Sequence, residues 1–278
     1  MTNVTPVTHV RGGWGTRTLA ALAALFALFL ALPVVTLVAR AILDGSLVHA
    51  LGSPVVLDAL ALSLVTTAVS LVITVAMGLP LAFVLARWRF PGKGLVEAIV
   101  DLPIVLPPSV AGLALLLVFG RRGLLGAPLD QLGVSVPFTI VAVVLAQVFV
   151  SAPFFIRSAR TGIAGVDRDL EDAARVDGAS ERQLFRTITT PLAGAALAAG
   201  LTMSWARSLG EFGATIMFAG NVMGRTQTLP LVVYGEFQGG ALDASIAAAA
   251  MLVMAAFGVL AAVRLFHWGR VLDARGVG

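Results

Sequence analysis

Arg207 and Glu211 stand four residues apart inside an apolar stretch of this 278-residue chain. On a helix that spacing puts opposite charges on one face, where they can pair. An ionised group inside such a stretch is also a functional candidate by default. Thr202, Ser204 and Ser208 add hydroxyls nearby. Together these residues could pass an anion along a cation and several donors, or the two charges could neutralise each other in a purely structural pair. Covalent chemistry finds no support. Cysteine is absent, which removes a thiolate nucleophile, a disulfide framework and Cys-based metal sites. His9, His49 and His267 lie outside the apolar stretches, and neither His-Glu-x-x-His nor Gly-x-Ser-x-Gly occurs. Without Gly-x-x-x-x-Gly-Lys-Ser/Thr, the chain has no phosphate-binding loop with which to hydrolyse ATP.

The elements that carry these residues are membrane helices. The chain is 58% hydrophobic and 12% charged, against roughly 45–50% hydrophobic in a soluble domain. Apolar runs of about 20 residues, enough to cross a hydrocarbon core of about 30 Å, occur six times. They are Leu19 to Ala39, Ala59 to Ala86, Ile99 to Phe119, Val136 to Ile156, Leu192 to Phe218 and Ala244 to Val263. The first follows Arg11 and Arg17 like a secretory signal, but its length exceeds the usual run of about 7–15 residues, so a retained helix is expected. The reading is a single all-α membrane domain over 19–266, with tails 1–18 and 267–278, no soluble domain and no internal repeat.

Positive charge sets the orientation, because cytoplasmic loops hold the excess of Lys and Arg. With the N-terminus inside, Arg11, Arg17, Arg87, Arg89, Lys93, Arg157, Arg160, Arg168, Arg175, Arg182, Arg186, Arg264, Arg270 and Arg275 are all inner, fourteen of nineteen. Arg40, Arg121, Arg122 and Arg225 are outer. Both termini are therefore expected in the cytoplasm. The net charge of +4 forms no basic stripe with interleaved aromatics, which argues against nucleic acid as a partner.

The third run contains Asp101, Pro103, Pro107 and Pro108, so a kinked helix facing protein or water is expected there. Gly194, Ala198, Gly200 and the run from Ala247 to Ala250 suit close helix packing. Gly210 and Gly213 would permit a bend beyond Arg207, which straight-helix geometry places roughly 24 Å from Pro191.

Ser158 to Thr190 is the long polar interruption on the inner side. Asp167 can cap a short helix with Asp169 and Glu171 in its first turn, running to about Val176 and stopping at Gly178. Ser180-Glu181-Arg182-Gln183 fits a capping box, and Leu184, Phe185 and Ile188 form an apolar stripe behind it. A compact helix–turn–helix with a small tip at Ala173, Ala174 and Gly178 is expected, shaped to enter a partner's groove.

Asp172-Ala173-Ala174, then Gly178, Ile188 and Pro191 at their spacings, resemble the EAA loop of bacterial ABC-importer permeases. Asp172 stands where that family has Glu, with Glu171 beside it. Ser208-Leu209-Gly210-Glu211-Phe212-Gly213 onward, Arg225 to Pro230, Leu106-Pro107-Pro108 and Gly112 resemble the molybdate branch, which shares much with sulfate and thiosulfate permeases. The resemblance implies a six-helix permease in the cytoplasmic membrane, working as a homodimer by alternating access. Two ATP-binding partner subunits would dock on the loop through Glu171, Asp172, Ala173, Ala174, Gly178, Ile188 and Pro191. An extracytoplasmic oxyanion-binding protein would deliver molybdate or tungstate. The chain itself would bind no cofactor, because ATP and Mg belong to the partner subunit. Pro107, Pro108, Ser204, Arg207, Ser208, Gly210, Glu211 and Gly213 are the candidate pathway or gate residues. The alternatives are a sulfate or thiosulfate ABC permease and, in another class, an ion-coupled secondary transporter, for which Asp101 and Glu211 are the available titratable groups.

Overall fold

A computed structural model describes residues 14–275, with side chains described for residues 17–261. Arg11 and His9 lie outside the described residues, as do the side chains of Arg264, His267, Arg270 and Arg275. Among the described residues all regular structure is helical. α1 (Trp14–Leu43), α2 (Ser46–Leu51), α3 (Pro54–Arg87), α4 (Lys93–Val105), α5 (Pro108–Phe119), α6 (Gly126–Gln131) and α7 (Ile140–Ala164) come first. α8 (Arg168–Val176), α9 (Glu181–Leu184), a π-helical turn (Phe185–Thr189) and α10 (Thr190–Leu192) make the long connection. α11 (Gly194–Leu209), α12 (Gly213–Phe218), α13 (Leu229–Gln238) and α14 (Leu242–Arg275) follow.

α1, α3, α7 and α14 are each long and apolar enough to cross a membrane unbroken. The other two expected spans are not single helices. α4 and α5 meet at 119°, well beyond a kink. Leu106 and Pro107 each precede a proline, which disfavours helical ψ, and both are extended at ψ 133° and 136°. The missing proline N–H groups remove ladder bonds at the same point. The run from Leu192 to Phe218 is likewise divided. The segment Glu181–Leu192, which ends in α10, meets α11 at 73°, α11 ends at Leu209, and α12 starts afresh at Gly213. α11 alone rises about 24 Å, short of a full crossing.

Three further differences from expectation have local causes. α7 starts at Ile140, because Thr139 caps it by accepting from Ala142 N at 3.3 Å, and continues to Ala164. The polar connection is therefore shorter than Ser158 to Thr190. α14 runs through Arg275, so most of the expected C-terminal tail continues that helix. α2, α6 and α13 have no counterpart in the periodicity reading, since helices of 6 to 10 residues carry too little repeat to register.

α3, α7 and α11 form the centre of the bundle. Leu85, Phe155, Ile156, Ala159 and Ile163 pack there with Ala82 and Ala193. α11 approaches α7 closely at Gly200, where a Cβ would lie 2.8 Å from the Ser158 Cβ. One face of α3 is a buried row of hydroxyls, Ser63, Thr66, Thr67, Ser70 and Thr74. Ser70 bonds Ser208 Oγ at 2.8 Å, and Gln147 Nε2 donates to Thr67 at 3.5 Å. Such interhelical bonds join helices where lipid supplies no hydrophobic drive between them. The apolar length of α1 from Leu19 to Val35 stays exposed.

Candidate functional site

The connection from α8 to α10 is built from local signals that agree. Asp167 accepts from Asp169 N at 3.0 Å, and α8 follows for nine residues. Gly178 stops it at φ 88°, while Gly178 N donates to Arg175 O and Ala179 N to Ala174 O. This is the Schellman pattern, and glycine accepts the left-handed conformation that it needs. Ser180 and Gln183 then close a capping box that starts α9. Arg175 bridges the turn, donating to Asp172 at 2.6 Å and to Glu181 at 2.7 Å. Its hydrogen bond holds the Glu181 carboxyl below the usual carboxylate range, and the pairing raises Arg175.

The tip projects free of the bundle. Asp172, Ala173, Val176 and Gly178 are exposed, Val176 by 87%, and nothing lies within 4 Å of where a Gly178 Cβ would stand. Glu171 faces the opposite way and is 3% exposed. It accepts from Arg87 Nη2 at the end of α3 and from Thr189 Oγ1 at 2.8 Å in the π turn. Arg87 also donates to Val166 O at 3.3 Å. One carboxylate thus ties α8 to α3 and to the turn leading into α10 and α11. The Phe83 and Phe185 rings meet edge-on at 5.4 Å beside it. Asp172 and Glu171 therefore divide the work of the loop, the first pairing at the surface and the second anchoring. Ile188 is half-buried and Pro191 exposed. Arg87 and Thr189 escaped the sequence reading. Arg87 registered there as a topology signal, and Thr189 carried no signal at all.

The two broken spans meet at their breaks. A Cβ on Gly213 would lie 2.6 Å from Pro108 Cβ, and one on Gly112 would lie 2.7 Å from both Ala214 O and Met217 Cβ. Pro107, Pro108 and Gly210 are exposed beside this contact. Glu211 is 1% exposed. One of its oxygens lies 2.8 Å from Arg207 Nη1 and the other accepts from Ala214 N at 2.7 Å. The carboxylate therefore pairs with Arg207 and also caps the first turn of α12. Arg207 keeps 30% of its side chain exposed.

Two expected pathway residues are placed otherwise. Ser204 and Ser208 are buried, the first donating to Ser151 O at 3.1 Å and the second bonded to Ser70. They face α7 and α3 because the exposed face of α11 runs through Met203, Ala206 and Gly210. Asp101 pairs with Arg157 at 3.5 Å and Glu97 with Arg160 at 3.1 Å, joining α4 to the end of α7.

Gly112→Val places branched methyls against the α12 backbone, and overpacking of this kind costs about 1–3 kcal/mol. Loss of transport with the protein still assembled is the expected result, measured by uptake beside detergent-resistant complex formation. Normal uptake would show that the α5–α12 contact is dispensable.

Residues 78–275 match the family model for the binding-protein-dependent transport system inner membrane component. The chain is 41% identical over 182 residues to the molybdenum transport system permease protein ModB of Escherichia coli K12, covering 65% of this chain and 80% of that protein. It is 40% identical over 241 residues to a probable molybdenum ABC transporter permease protein of Haloferax volcanii, covering 86% of each. In fold it is similar to a bacterial ABC transporter that imports alginate, with a TM-score of 0.73 at 18% identity, covering 91% of this chain and 94% of that one. With the matched region taking in the broken spans and the α8–α10 connection, the chain belongs to the family of inner membrane components of binding-protein-dependent transport systems.

Proposed function

We propose that two copies of this chain form the membrane channel of an ATP-driven importer of molybdate or tungstate, with both termini and α8 to α10 in the cytoplasm. The observation that carries the reading is the anchored loop, an exposed tip at Ala173, Val176 and Gly178 whose base is held to α3 by Glu171 and Arg87. A partner that grips the tip moves α3 and α11 with it. ATP-binding subunits closing on ATP would drive that motion from inside. A loaded binding protein would release its anion into the outward-open dimer. The molybdate assignment rests on the relatives, whose names state molybdenum transport. The meeting of α5 and α12 at Pro108 and Gly213 is the proposed gate, because both breaks leave short helices that can shift without unwinding a full span.

Vesicles containing this chain, its ATPase and its binding protein are expected to take up molybdate in an ATP-dependent manner that resists excess sulfate. Gly178→Arg is expected to lower uptake by about tenfold or more, since a lost interface anchor removes more than about 1.4 kcal/mol. The left-handed φ of 88° strains any side chain at this position even though the space is open, so complex assembly and thermal unfolding are measured beside uptake to separate a lost contact from a disturbed turn. Efficient sulfate competition would reassign the substrate, and uptake independent of ATP would defeat the importer reading.

A further inference from the structure

At the end of α7 remote from the coupling loop, about 37 Å away by helical rise, a cavity of about 580 Å³ opens between α5, α7 and the α12–α13 connection. Its polar lining is Arg121, Arg225, Ser135 and Thr139, and Leu116, Pro137 and Phe138 supply the apolar walls. No carboxylate lines it. Neither guanidinium has a hydrogen-bond or ion-pair partner among the described residues. Where a carboxylate is within reach an exposed arginine pairs with it, as Arg40 does with Asp44 and Arg175 with Asp172 and Glu181, whereas this hollow offers none.

The cavity is held in shape by an unusual residue. Phe138 has φ 60°, the one non-glycine residue with positive φ among those described. A bulky residue in that conformation is a local outlier, and such outliers collect at functional sites. Phe138 N donates to Phe218 O at 3.4 Å, and a Cβ on Gly220 would meet the Phe138 ring at 2.8 Å. The start of α7 is thereby clamped to the segment that carries Arg225. Arg121 directly follows the Gly120 cap of α5. Three elements thus bring two unpaired cations to one hollow.

We propose that this hollow is a transient site for a free tetrahedral oxyanion on its way from the binding protein to the pathway. The assignment rests on the proposed import of such an anion. A guanidinium group matches oxyanion geometry through two-pronged hydrogen bonds, and Ser135 adds a further donor to the two that line this hollow. The absence of an enclosing shell of donors keeps the site weak, as a relay requires. The hollow beside α2 and α14, where Glu236 and Asp243 stand with Asp44 already paired to Arg40, would repel the same ion. Opposite charges at separate hollows would therefore guide the anion toward α5 and α12.

The chain has no cysteine, so Ser135→Cys gives a single thiol inside the hollow. In the assembled transporter without binding protein, the anionic sulfonatoethyl methanethiosulfonate is expected to label it about tenfold faster than the cationic trimethylammonium reagent. Millimolar molybdate should slow that labelling, and adding Arg121→Gln with Arg225→Gln should abolish both effects. Equal labelling by the two reagents, or no protection by molybdate, overturns the proposal. Protection by the binding protein but not by free molybdate also overturns it, and makes the hollow a docking surface for acidic side chains. Sulfate-sensitive uptake alongside oxyanion protection would instead correct the substrate while leaving the site standing. Sulfate-resistant uptake without protection would remove the site alone.

Discussion

Glu171→Ala is expected to destroy ATP-driven uptake, by a hundredfold or more, in a complex that still forms. The Arg87 and Glu171 side chains are 9% and 4% exposed, so solvent screens their pairing little. Removing one partner of such a pair leaves a buried charge uncompensated, at a cost of about 3–5 kcal/mol. That cost falls on the joint between α8 and α3, because Glu171 also receives the Thr189 hydroxyl. The tip itself is untouched, since its Schellman turn, capping box and Arg175 bridge involve other residues. A partner would then still bind the loop and hydrolyse ATP without moving the channel. Uptake and ATPase activity measured on one preparation check this, with thermal unfolding as the stability control. Glu171→Gln, which keeps an acceptor for both donors, should lose less. The double variant Arg87→Met with Glu171→Leu should recover stability, because apolar pairs replace buried ion pairs at little cost. Full uptake by Glu171→Ala at unchanged stability would show that the anchor plays no part in coupling.

Arg207→Met is expected to produce the second large defect, and for a less obvious reason than loss of a cation. The stranded partner is Glu211, whose side chain is fully enclosed. Its carboxylate also holds Ala214 N, so the first turn of α12 depends on its position. A protonated or displaced Glu211 weakens that cap, worth about 1 kcal/mol, in addition to the cost of the unpaired buried charge. A lower unfolding temperature and nearly absent uptake should result. Arg207→Lys separates structure from transport. It keeps a positive charge within reach of Glu211, so a structural pair should retain stability and leave the apparent KM for molybdate unchanged. A raised KM at full stability would move Arg207 into the path of the anion.

The one-dimensional pattern determined the helical class, the membrane setting and the local structure of the α8–α9 turn. Each rests on interactions between near neighbours in the chain. Long apolar runs cannot remain in water, and a capping box or a glycine stop works over three to six residues. The loop was legible almost atom by atom, from Asp167 as cap to Gly178 as stop and Ser180 with Gln183 as restart. The pairing of Arg207 with Glu211 was legible for the same reason.

Contacts over long separations were decided only in three dimensions. Glu171 and Asp172 are neighbours with the same charge, and only the position of Arg87 at the end of α3 makes one an anchor and the other a surface group. Ser204 and Ser208 looked fit for an anion, yet the bundle turns them toward Ser151 and Ser70. The prolines foretold a kink, but a break of 119° needed Gly112 and Gly213 on facing elements to receive it. Arg121 and Arg225 are more than a hundred residues apart and line one hollow only because α5, α7 and the α12–α13 connection pack together. Sequence alone decides what a segment can be in lipid, since that depends on local burial and backbone bonding. Which side chains become partners depends on how the finished helices pack.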